Sequence, residues 1–154
     1  MLDGSIEVEQ TFLSFRRAMT RMLRAPLMQR PILSSDQSVL DYLRAQMAYD
    51  PIERFRVLFL NAGNELIADE VMGVGTVSAV QAWPREILKR CLDLEATAIL
   101  LVHNHPSGCS RPSRADRDLT ERIVKAASSL SVIVHDHLVV ARKGTTSFRM
   151  AGYL

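Results

Sequence analysis

At 154 residues the chain has the length of one globular domain. Its 47% hydrophobic and 23% charged content excludes a disordered chain, and a net charge of only +2 gives no whole-molecule field that would mark a nucleic-acid or membrane binder. Two cysteines without a CxxC pair, Cys91 and Cys109, exclude a disulfide framework and a thiolate zinc knuckle, and no apolar run approaches the roughly 18–20 residues of a membrane span.

The amino-terminal segment MLDGSIEVEQ is polar and acidic, unlike a secretory leader, so the expected setting is cytoplasmic with no membrane contact. Residues 7–24 place Phe12, Phe15, Met19, Met22 and Leu23 at helical spacing, with Arg17, Arg21 and Arg24 on another face. We expect this amphipathic helix to pack its apolar face on the domain and leave its arginines in solvent. Together with Arg16 they are the only local support for a nucleic-acid partner. Pro26 and Pro31 interrupt the chain, and Ser34-Ser35 offers an N-cap for a second helix to about Ala48.

From Ile52 the period becomes two, with Phe55, Val57 and Phe59 alternating with Arg54, Arg56 and Leu58. A Gly63-Asn64 turn then leads to Leu66, Ile67 and Val71, which predicts a β-hairpin. Pro84 opens a helix to Leu94. The run Ala98 to Val102 predicts a central strand covered on both faces, ending at His103. Residues 104–112 (NHPSGCSRP) read as a loop, Ser113 to Asp116 opens a helix to about Leu130, Ser131 to Val140 is a strand, Lys143-Gly144 a turn, and Thr145 to Phe148 a closing strand. The order ααββαβαββ implies an α/β domain with a mixed sheet.

His103 and His105 sit at the carboxyl end of an apolar strand, the usual place for ligands in open α/β sheets. Histidines at i and i+2 on an extended segment point the same way and can reach one ion. Asp116, in the first turn of the next helix, can fold back to join them across the Pro106, Gly108 and Pro112 loop. Two imidazoles and a carboxylate suit zinc, with a fourth position left for water. Ser113 and Asp116 are also an ordinary capping pair. A second pair, His135 and His137 around Asp136, has the same spacing but no following loop and acidic helix start; we read it as strand structure, the alternative being a role lining the site. Cys109 lacks a defined triad, and neither HExxH nor the zinc-deaminase pattern is present.

His103, Asn104 and His105, then Ser113 and Asp116, resemble the JAMM motif of MPN-domain metalloproteins. More closely, HNHPSG followed by PSRAD, with PRE at 84–86, DH at 136–137 and SF at 147–148, is similar to the bacterial RadC family over about residues 50–154. The resemblance implies an MPN-like domain over 51–154 behind a helical extension over 1–50. It implies a zinc ion on His103, His105 and Asp116, an upstream glutamate that activates water, and Ser113 hydrogen-bonded to the tetrahedral intermediate. Strand position selects Glu53 as that glutamate over Glu65, Glu70 and Glu86. The expected function is hydrolysis of an amide in a peptide or protein substrate; the alternative is a DNA-repair-associated accessory module with a structural metal. Family members usually carry a longer helical region with a DNA-associated module ahead of this domain, whereas here only the residues up to Ile52 precede Glu53, which weakens the DNA expectation.

Overall fold

The computed structural model describes residues 3–76, 79–80 and 82–154. Helix α1 (Asp3–Arg24) runs through a 3-10 turn (Ala25–Gln29) to α2 (Gln37–Met47). Strands β1 (Arg54–Leu60), β2 (Leu66–Thr76) and β3 (Ala79–Val80) follow, then α3 (Pro84–Asp93), β4 (Ala98–Asn104), α4 (Arg114–Ser128), β5 (Ile133–Ala141) and β6 (Gly144–Ser147). The sheet order is β3-β2-β1-β4-β5-β6, with β4 and β5 parallel and every other neighbour antiparallel. This is the expected mixed α/β sheet, with the short strand β3 added.

The sheet is buried on both faces, which is why β4 (AILLVHN) reads as an unbroken apolar run. On one face Val39, Leu43 and Met47 of α2 meet Leu58, Leu100, Val102, Leu138 and Val140. On the other, Ile87, Leu88 and Cys91 of α3 and Leu119, Ile123 and Ala127 of α4 meet Phe55, Val57, Phe59, Ile99 and Leu101. Phe55, Phe59 and their neighbours alternate faces along β1 as a period of two requires. The β4–α4–β5 crossover joins two parallel strands, and the loop 105–113 folds back so that the first turn of α4 lies beside the carboxyl end of β4.

Two expectations are corrected. The N-cap of α2 is Asp36, whose side chain accepts from the Ser38 N–H at 3.0 Å, in place of Ser34-Ser35; Asp is as good a cap and sits one residue nearer the helix. In α1 the apolar side is left largely in solvent, with Phe12 70% and Met22 75% exposed, and among the described residues of the helix only Leu23 packs against the core. Helical periodicity marks an apolar face, but says nothing about whether a partner surface lies opposite it. Among the described residues no helix is long and apolar enough to cross a membrane.

Candidate metal centre

Four side chains meet at the carboxyl end of β4. Glu53, His103, His105 and Asp116 each offer one ligand-type atom, and these atoms lie within 4.8 Å of one another. The three sequence-nominated ligands are closer still: His103 Nε2 and His105 Nε2 are 2.9 Å apart, and each lies 3.3 Å from an Asp116 carboxylate oxygen. A tetrahedral site with metal–ligand bonds of about 2.0–2.1 Å has edges of about 3.3–3.4 Å, so this spacing fits a small divalent ion.

Local chain geometry explains the convergence. His103 and His105 alternate with Asn104, so the imidazoles face α4 and the amide faces the other way. His105 continues the ladder past the end of β4 through its N–H to the Val140 carbonyl, 3.0 Å. The loop then doubles back through Gly108, which takes φ 88°, a conformation in which other residues are strained. Its return lets the Cys109 carbonyl accept from His105 Nδ1 at 2.9 Å. That bond leaves the lone pair on His105 Nε2, facing the cluster. Asp116 is the third residue of α4, held by a reciprocal capping box in which it accepts from the Ser113 N–H at 2.7 Å and donates its own N–H to Ser113 Oγ at 3.1 Å. The Ser113 hydroxyl donates to the same carboxylate at 2.7 Å. The capping bonds fall on Oδ2 of Asp116, while Oδ1 faces His103.

Two imidazole nitrogens at 2.9 Å are held together either by an N–H of one ring donating to the lone pair of the other or by a metal ion that both ligate. The His105 pKa is raised, first by its hydrogen bond with Asp116, against the opposing effect of burial. Burial also works to raise the Asp116 pKa, but hydrogen bonds with His103 and His105 outweigh it and hold the carboxyl well below the usual range. Glu53 moves the other way: burial raises its pKa, and the two histidines offset this only in part.

Glu53 precedes β1 and is clamped on both sides. The Asn104 amide donates to the Ile52 carbonyl at 3.0 Å and accepts from the Arg54 N–H at 2.8 Å, while the Glu53 carbonyl accepts from the Gly75 N–H at 2.7 Å. Asn104 is 1% exposed, and sequence reasoning passed over it. The available signal was the strand period itself, which sends the middle residue of His-Asn-His away from the cluster and toward β1. The rival glutamates are engaged elsewhere: Glu65 with Asn61, Glu70 with Arg90 at 2.7 Å, and Glu86 with Arg85.

His137 departs from its reading as strand structure. It is fully buried, with Nε2 2.7 Å from His103 Nδ1, while His135 turns away and bonds Asn64. Two adjoining hollows of about 690 and 370 Å³ share Glu53 and His105; the smaller is lined by all four cluster residues, and the larger lies beside it. The first is walled by Val74, Gly75 and Pro106, the second by Phe55, Leu119 and Arg122.

An α/β sheet that brings a His-x-His strand end, a capped aspartate and an upstream glutamate to one point defines an MPN-type domain with a candidate metal centre. The family description "RadC-like JAB domain" matches residues 33–153. A UPF0758 protein of Rhodobacter capsulatus is 50% identical over 137 residues, which cover 89% of this chain and 64% of that protein. The chain belongs to the RadC-like JAB-domain family, and it spans just under two thirds of the length of this curated relative.

Proposed function

We propose that this domain is a zinc-dependent hydrolase that cleaves an amide bond in a peptide or protein substrate. The observation that carries the reading is the grouping of Glu53 with His103, His105 and Asp116 in an open cleft. His103, His105 and Asp116 are the ligands in this reading and Glu53 is the proton carrier. Bound there, zinc would supply Lewis acidity, lowering the pKa of water to roughly 7 and polarising an amide carbonyl. Glu53 takes the proton from the attacking water and returns it to the leaving amine nitrogen. Its raised pKa suits both halves of that exchange, because a carboxylate nearer the working pH both accepts and releases a proton readily. The Ser113 hydroxyl, whose proton is donated to Asp116 in this structure, would turn from that carboxylate to the oxyanion of the tetrahedral intermediate. The larger hollow that continues from the cluster past Glu53 and His105 offers room for a chain extending away from the scissile bond.

The test pairs metal analysis with turnover. Wild type is expected to hold one zinc and to hydrolyse members of a peptide and isopeptide library, while Glu53→Gln keeps the zinc and loses the hydrolysis. Stoichiometric zinc in both His103→Ala and Asp116→Ala would overturn the ligand set. A second reading, a nucleic-acid-associated module with a structural metal, is favoured by the exposed Arg17, Arg21 and Arg24 at the end of α1. Cations there also complement the helix dipole without any partner. Salt-sensitive DNA binding that disappears when the three are neutralised, together with no library turnover above Glu53→Gln, would select it.

A further inference from the structure

Beneath the cluster lies a row of polar side chains that the proposed reaction does not use. His137 is stacked on Phe148 at 4.5 Å between ring centroids and meets Phe55 edge-on at 5.3 Å. Its Nε2 lies 2.7 Å from His103 Nδ1, its Nδ1 lies 2.6 Å from Thr120 Oγ1, and Thr120 Oγ1 lies 2.6 Å from the Asp116 carbonyl oxygen.

The direction of each bond follows from one end of this chain. A carbonyl oxygen can only accept, so the single hydroxyl proton of Thr120 is committed to Asp116. The hydroxyl must then accept from His137, which places a proton on His137 Nδ1. His137 is fully buried between Phe148 and Phe55, with no carboxylate on either nitrogen to support a charge, so the ring carries one proton and its Nε2 has only a lone pair. His103 must therefore donate from Nδ1, and in its neutral form, the one that binds a metal, its lone pair is on Nε2, the atom that faces His105 and Asp116.

We propose that the Asp116 carbonyl, Thr120 and His137 form a positioning device that holds His103 in the Nδ1–H tautomer and aims its Nε2 lone pair at the metal position before any metal binds. The inference rests on the metal-centre reading above and adds two residues to it. A metal-bound histidine commonly leans on a carboxylate or a backbone carbonyl, partners that can accept only. A histidine in that place could equally donate, and Thr120 removes the ambiguity. The device starts on the backbone of one ligand and ends on the ring of another, so it fixes the two relative to each other.

Two readouts on the full chain test this. Nitrogen-15 NMR of histidine in metal-free protein should show His103 and His137 both protonated at Nδ1. Zinc affinity, measured by competition with a chromophoric chelator, should fall about 10–100-fold in Thr120→Val and stay within a few-fold of wild type in Thr120→Ser, which keeps the hydroxyl. His137→Phe should match Thr120→Val in direction. Wild-type affinity in Thr120→Val, beside lost binding in His103→Ala, would overturn the device and leave the metal centre standing. A wild type that binds no zinc would end the metal reading. The tautomer spectrum decides the proton order independently, and a proton on His103 Nε2 with none on Nδ1 would refute it.

Discussion

Strands β4 and β5 lie side by side, each carries a His-x-His segment, and only one pair converges. His103 and His105 keep the period of two and face one point. His135 and His137 do not, because a bulge interrupts the pairing: Ile99 pairs with Val134 and Leu100 with Asp136, which leaves His135 as the extra residue. Past the bulge His137 turns under His103, while His135 faces Asn64 in the turn before β2. Identical spacing therefore yields a converging pair in one strand and, in its neighbour, one residue against His103 and one remote residue.

The largest expected effect sharpens the first half of that comparison. Glu53→Gln should lower hydrolysis by about 10²–10⁴-fold with zinc content unchanged, measured as turnover per bound metal. Unchanged turnover would move the proton carrier elsewhere. Next comes the residue between the ligands. Asn104→Ala frees the Ile52 carbonyl and the Arg54 N–H, and should cost about 1–3 kcal/mol in denaturant unfolding and up to about a hundredfold in turnover as Glu53 drifts. Retained turnover would show that β1 alone holds Glu53.

The pH dependence of metal binding tests the converging pair as a cation site. The raised His105 pKa means that a proton competes with metal at that nitrogen to higher pH than at an ordinary histidine. Zinc affinity should be full above that pKa and fall about tenfold per pH unit below it, in calorimetric or chelator titrations. A flat profile from pH 8 to 5 would contradict His105 as a ligand. The smallest effect belongs to the residue outside the site. His135→Ala removes the bond to Asn64, and should cost about 0.5–1.5 kcal/mol in stability and leave metal affinity untouched.

Local signals were legible in the sequence and contacts set by long-range packing were not. The apolar run of β4, the capping pair Ser113 and Asp116, and the hairpin before them are each encoded within a few residues. The structure brings Glu53, His103, His105 and Asp116 together as strand position and motif led us to expect. The bulge at His135 has no glycine or proline to announce it, so the period of two was extended through it. Thr120 looks like any helical threonine; its one hint is that it stands four residues after Asp116, on the same helix face. The solvent-facing side of α1 was missed because periodicity reports a face and packing needs a second surface.

The contrast between the two histidine pairs is tested most directly by the zinc content of wild type, His103→Ala and His135→Ala, each purified alongside the others and measured by inductively coupled plasma mass spectrometry. The account requires one equivalent in wild type and in His135→Ala and none in His103→Ala. Equal zinc in the two variants, whether retained or lost, would contradict it.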